Sequence, residues 1–237
     1  MNKTHVLHPD FASPPVLQAL QANLLNHPLV GPSPLKGTFD KTRGFALVFT
    51  TAGIEEVHKR FSCLAPFLEE ITKPHIIQRS WAGLRSTQIP CNAFYLNLLM
   101  VPAGTWVRRH VDATLRRAGE LEEILPSRVS VLWLRTPREL HGGELQLFAG
   151  EKRLATITAH EGNLLHFRGD LGHGIAPVVL DATPSRETEK LMRVSVVCEQ
   201  YALSEAQLAL FEPYRVHSRA GFSAFMQDAS DRSSQSV

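Results

Sequence analysis

Gly104-Thr-Trp-Val-Arg-Arg-His-Val-Asp112, answered about sixty residues later by Gly172-His-Gly-Ile-Ala-Pro177, is the pair of stretches on which the fold turns. Strand side chains alternate faces with a period of two, so His110 and Asp112 leave the same side of one extended segment. A second strand can bring His173 opposite them. Two neutral imidazoles and one carboxylate cap one face of an octahedral metal and leave three positions open, which suits Fe(II) oxygen chemistry. A closed structural zinc site would take four protein ligands. His-x-Asp alone is common by chance, and the surroundings give it weight.

Working outward, Asn97-Leu-Leu-Met-Val reads as a strand, Pro102 to Gly104 as a turn, and the segment carrying His110 and Asp112 as the next strand. Arg128-Val-Ser-Val-Leu-Trp-Leu-Arg is an apolar strand. Gly142-Gly-Glu-Leu-Gln-Leu-Phe reads as a hairpin turn entering a strand, and Gly162-Asn-Leu-Leu-His-Phe leads towards His173. Arg193-Val-Ser-Val-Val-Cys-Glu-Gln-Tyr closes the stretch.

In that order and spacing, residues 93–202 resemble the Fe(II)/2-oxoglutarate-dependent dioxygenases, in particular their prolyl hydroxylase-like branch. The resemblance implies a mainly β fold with supporting helices, built on a double-stranded β-helix: a jelly-roll, cupin-like core with the metal at its mouth. It implies that His110, Asp112 and His173 bind Fe(II), and that Arg193 pairs with the distal carboxylate of 2-oxoglutarate. The residues agree, since an arginine fork grips a carboxylate bidentately, and Ser195, two places on, shares its face. Many relatives place a tyrosine where Trp133 stands; Tyr95 on the preceding strand is the alternative source of that phenol, or a core tyrosine.

The activity implied is hydroxylation of an unactivated C–H bond, with dioxygen as oxidant, 2-oxoglutarate decarboxylated to succinate, and ascorbate as a stimulant. Asp112 fills a coordination position that halide takes in related halogenases, which implies hydroxylation over chlorination. The substrate expected is an amino-acid-like small molecule or a residue within a peptide. By strand parity Arg108 points to the metal side and Arg109 away, and Arg168 stands near the mouth; with Arg79 and Arg85 on a possible lid, they suggest an anionic substrate, although surface arginines are usually solvated. His166 is read as a core histidine or one supporting the ligands. Three other readings stay open: a non-catalytic jelly-roll sensor that keeps the metal, a zinc or manganese cupin enzyme without a keto acid, and a nucleic-acid demethylase. The last is weaker, because Glu199 stands where base-repair relatives carry a second arginine.

A chain of 237 residues, 43% apolar and 20% charged, fits one globular domain spanning 1–237. A formal charge of +2 is too small to imply nucleic acid as a partner. No stretch reads as a signal peptide or membrane span, and Cys63, Cys91 and Cys198 are odd in number and scattered, so a cytoplasmic protein with reduced thiols is expected. Residues 1–92 are read as support: a helix capped by the Ser13 hydroxyl, a proline-rich loop from Pro28 to Pro34, a strand at Phe45–Phe49, and one amphipathic helix from Ile54 to Leu68 bent at Pro66. The polar interval 181–190 between His173 and Arg193 is read as an inserted surface loop. Ser204-Glu-Ala-Gln opens a C-terminal helix within 203–227, and 228–237 is a frayed tail.

Overall fold

The structure is a computed structural model that describes residues 4–77, 87–115, 124–181 and 191–221. From the N-terminus run β1 (His5–His8), α1 (Pro14–Leu24), β2 (Gly31–Pro32), β3 (Arg43–Thr50), α2 (Ile54–Arg60), α3 (Ala65–Thr72), β4 (His75–Ile77) and β5 (Thr87–Ile89). There follow β6 (Ala93–Pro102), β7 (Val107–His110), β8 (Arg128–Arg135), β9 (Leu140–Gly142), β10 (Leu145–Ala149), β11 (Lys152–Ile157) and β12 (Leu164–Arg168). The chain ends through β13 (Gly172–Ile175), β14 (Val178–Leu180), β15 (Met192–Tyr201), α4 (Glu205–Leu208) and β16 (Tyr214–His217).

The larger sheet has the order β1-β12-β8-β15-β6-β3-β16, with β2 added on β3, and the smaller has the order β11-β10-β13-β7. The central strands β6, β8 and β15 are buried on both faces, and the period-two alternation sorts their side chains. Leu96, Leu98, Leu132, Leu134, Val196 and Cys198 pack on the helix side against Leu20, Leu24, Val57, Leu68 and Ile71. Val129, Val131 and Trp133 face the other way, onto Leu145, Leu147 and Ile157 of the small sheet. Each such fully buried side chain contributes about 1.5–3 kcal/mol, so both faces of the large sheet are anchored. The result is a jelly roll: two antiparallel sheets face to face, with helices bracing the outer side of the larger one.

Four local expectations change. Ile54 to Leu68 is not one bent helix: α2 ends at Arg60, Phe61 leaves helical geometry at φ −131° and ψ 57°, and α3 starts at Ala65. Pro66 lies in the first turn of α3, where its missing N–H costs nothing, so it starts a helix and bends none. Ser13 precedes α1 but its hydroxyl makes no capping bond. The C-terminal helix is the single turn α4, held by a Ser204–Gln207 capping box, and the chain then returns as β16 along β3. Gly142-Gly143 is no hairpin turn. β9 pairs with β14 and β10 with β11 and β13, so the two glycines, both at positive φ, carry the chain from one small sheet to another.

Candidate metal and keto-acid site

β13 places His173 across the ladder from His110, and the two ring centroids lie 4.4 Å apart. β7 ends at His110, so Asp112 lies two residues beyond the ladder. Its carboxylate nevertheless straddles both rings, with Oδ1 3.3 Å from His110 Nε2 and Oδ2 3.3 Å from His173 Nε2. The three groups each offer one ligand atom, and these atoms all lie within 4.8 Å of one another. The other nitrogen of each ring fixes its tautomer. His110 Nδ1 donates to the Arg108 carbonyl at 2.9 Å and His173 Nδ1 to the Leu171 carbonyl at 3.2 Å; carbonyls only accept, so the protons sit on Nδ1 and the Nε2 lone pairs converge.

Asp112 is 8% exposed, and its Oδ2 is buried without a hydrogen-bond partner. Burial pushes this carboxyl up, yet positive charge facing it, such as His173 and His110 carry when protonated, outweighs burial and holds it well below the usual carboxylate range. A charged oxygen in that state is costly unless a cation meets it. Two convergent Nε2 lone pairs and one unsatisfied carboxylate oxygen therefore fit a divalent transition metal.

The cavity beside these residues, about 780 Å³ with its open mouth included, is lined mostly by apolar side chains, together with Tyr95, Asn97, Trp133, Arg193, Ser195 and Glu199. Arg193 Nη2 donates to the Leu140 carbonyl at 3.2 Å, while Nε and Nη1 are buried and unpartnered. Burial lowers its pKa against the opposing pull of Glu144. Ser195 is buried on the same wall. Burial, with Glu199 and Asp112 adding to it, pushes the Tyr95 phenol well above its ordinary value, so it is a neutral hydrogen-bonding group. Two unused guanidinium nitrogens in an apolar cavity next to the His/Asp cluster fit the carboxylate of a bound acid.

The arginines expected to meet substrate lie elsewhere. His110 pairs with His173 and Val107 with Ile175, so β7 spends three steps where β13 spends two. That extra residue is a β-bulge. It resets the parity: Val107 and His110 both line the cavity, while Arg108 and Arg109 are both exposed. Arg108 lies on an outer groove with Lys41 and Trp106, and Arg109 pairs with Glu151. Arg168 is engaged by both oxygens of exposed Asp170 and does not line the cavity. Arg79, Arg85 and nearly all of the 181–190 interval lie outside the described residues. His166 lies behind the large sheet, its Nδ1 2.7 Å from Ser130 Oγ, and makes no contact with the candidate ligands.

Two residues have roles in the site beyond what the sequence reading gave them. A Cβ on Gly143 would lie 2.9 Å from Arg193 Cδ, so the glycine makes room for the guanidinium. Glu199, 3% exposed, accepts bonds from Thr114 and from the Tyr201 hydroxyl, and burial together with the charge of Asp112 pushes it up to about 8. Its signal in the sequence was an acid at the same strand parity as Arg193 and Ser195.

No protein-family model matches the chain, and no curated protein matches it. Solved structures do. A Pseudomonas putida prolyl-4-hydroxylase aligns with a TM-score of 0.50 at 16% identity, over 86% of this chain and 95% of that one. A Trichoplax adhaerens prolyl hydroxylase, solved with a hypoxia inducible factor peptide fragment, aligns at 0.55 and 13% identity, over 89% and 88%. A Burkholderia pseudomallei oxidoreductase of the 2OG-Fe(II) oxygenase family aligns at 0.52 and 14%, over 86% and 87%. The chain thus has the fold of these oxygenases along most of its length.

Proposed function

We propose that the protein is an Fe(II)- and 2-oxoglutarate-dependent dioxygenase that hydroxylates an unactivated C–H bond of an amino-acid-like small molecule or a peptidyl residue. One observation carries the proposal: the Asp112 carboxylate, with its Oδ2 buried and unsatisfied, faces the Nε2 atoms of His110 and His173 and shares a cavity with the two unpartnered nitrogens of Arg193. His110, Asp112 and His173 would hold the iron, and Arg193 with Ser195 the far carboxylate of the keto acid. When bound, that pair supplies the oxidation, one oxygen atom of dioxygen entering the substrate and the other entering succinate as carbon dioxide leaves.

The chain's own residues orient and exclude water. The Nδ1 bonds to Arg108 and Leu171 keep both imidazoles aimed at one point without spending their Nε2 lone pairs. The bond to the Leu140 carbonyl and the space left by Gly143 orient Arg193 before any acid arrives. The cavity wall of Leu99, Val131, Trp133 and Phe167 keeps the reacting region dry. No helix among the described residues is long and apolar enough to cross a membrane.

The test is succinate release from 2-oxoglutarate, with Fe(II) and ascorbate added, by the purified protein and by Arg193→Ala. The proposal expects release by the wild type that is abolished, or shifted to much higher keto-acid concentration, in the variant. Activity indifferent to 2-oxoglutarate and unchanged in Arg193→Ala would point instead to a cupin enzyme without a keto acid, and a metal-binding protein that releases no succinate would point to a sensor.

A further inference from the structure

Asp112 raises a mechanical question. It lies past the end of β7, beside exposed Val111, and the strand ladder that fixes His110 against His173 does not extend to it. Yet its carboxylate is the group that faces both imidazoles. A loop carboxylate free to swing would give a poorly defined metal site, because ligands must be held to a fraction of an ångström.

The constraint comes from two residues further along. Thr114 N donates to Glu199 Oε2 and to the Tyr201 hydroxyl oxygen, each at 3.2 Å, and Thr114 Oγ1 donates to Glu199 Oε1. Leu115 N donates to the same Tyr201 oxygen at 3.4 Å, and Tyr201 in turn donates to Glu199 Oε2. Glu199 and Tyr201 are both buried on β15, the strand between β6 and β8 at the middle of the large sheet. Leu115 packs beside Tyr201 and Tyr95 in a buried apolar cluster. The outgoing side of the Asp112 loop is therefore bolted to a central strand of the large sheet through side chains.

We infer that Glu199, together with Tyr201, is a positioning residue that sets the place of the Asp112 carboxylate by clamping Thr114 to β15. The inference rests on the metal-site reading above. Glu199 acts here through its oxygen acceptors, which hold Thr114 and the Tyr201 hydroxyl. A glutamine keeps an oxygen that can take the Thr114 N–H and the Tyr201 hydroxyl, whereas a leucine keeps none.

Binding of Mn(II) alone, followed by the loss of the free-ion electron paramagnetic resonance signal, tests this without turnover. In Glu199→Leu the dissociation constant rises by about 10–100-fold, the usual effect of removing a group that holds a ligand in place. Glu199→Gln stays near wild type. Thr114→Val, which deletes one of the clamp's bonds at a half-buried position, weakens binding in the same direction, and combining it with Glu199→Leu adds little beyond the leucine variant alone. Circular dichroism checks the fold of each variant, and if Glu199→Leu fails to fold, Thr114→Val decides. A folded leucine variant with wild-type affinity overturns the inference. So does a glutamine variant as weak as the leucine one, or, where Thr114→Val decides, unchanged binding in that variant. A wild-type protein that takes up no Mn(II) overturns the metal reading, and this inference falls with it.

Discussion

Gly143 shows how a residue with no side chain can set the chemistry of its neighbour. At φ +67° it occupies backbone space that costs an L-residue about 1–2 kcal/mol. A methyl there would also press on Arg193 Cδ and Val178 Cγ2, each 2.9 Å away. Gly143→Ala should therefore do two separable things: lower unfolding stability by about 1–2 kcal/mol, and raise the 2-oxoglutarate concentration needed for half-maximal succinate release while leaving Mn(II) affinity unchanged. The first is read by urea unfolding and the second by steady-state assay. Unchanged keto-acid dependence would separate Gly143 from the Arg193 pocket.

At the scale of elements, β1, β8, β12 and α3 meet at a polar group inside an apolar seam. His166 on β12 contacts Ser130 on β8, its Nε2 is 3.6 Å from Glu70 on α3, and its ring meets His8 on β1 edge-on. Burial, with Arg128 and His8 nearby, holds the imidazole down near 3, against an unfolded value of about 6.5. Above that unfolded value both states are neutral at this position and the residue contributes nothing. As pH falls below it, the unfolded chain takes up a proton that the folded chain refuses, so stability falls by up to about 1.4 kcal/mol per pH unit towards 3. Between pH 7 and pH 5, His166→Gln should lose about 1–2 kcal/mol less unfolding free energy than the wild type. Equal losses would show that His166 is protonated in the folded protein. The same scale explains the misplaced arginines. A single bulge residue in β7 reversed the parity from which Arg108 was directed inward, and bulges leave no reliable mark in sequence.

For the whole molecule, ligands that bind only the folded state stabilise it by mass action. Mn(II) at a hundredfold excess over its dissociation constant adds about 2.7 kcal/mol. In a chain of this size that is a rise in Tm of about 5–10 °C. 2-Oxoglutarate should add a second increment in the presence of metal. Arg193→Ala keeps the first and loses the second; Asp112→Ala loses the first. Thermal unfolding with each ligand reads both, and a keto-acid increment that survives Arg193→Ala would remove that residue from the acid's recognition.

What the sequence settled by itself was local and periodic. The apolar runs at Asn97–Val101, Arg128–Arg135 and Arg193–Tyr201 marked strands, and alternation set Arg193 and Ser195 apart from Cys198, because side-chain direction on a regular strand follows from the backbone alone. The spacing of His110, Asp112 and His173 also marked a candidate ligand set, although β7 ends at His110 and Asp112 reaches the cluster from the loop beyond it. Tertiary structure decided what depends on meeting a distant partner: the β7 bulge that turned Arg108 outward, the passage of Gly142-Gly143 between two sheets, the pairing of β16 with β3, and the clamp that joins Thr114 to Glu199. Each turns on which strand lies alongside, and that is fixed by packing across the sheets, which one-dimensional periodicity does not encode.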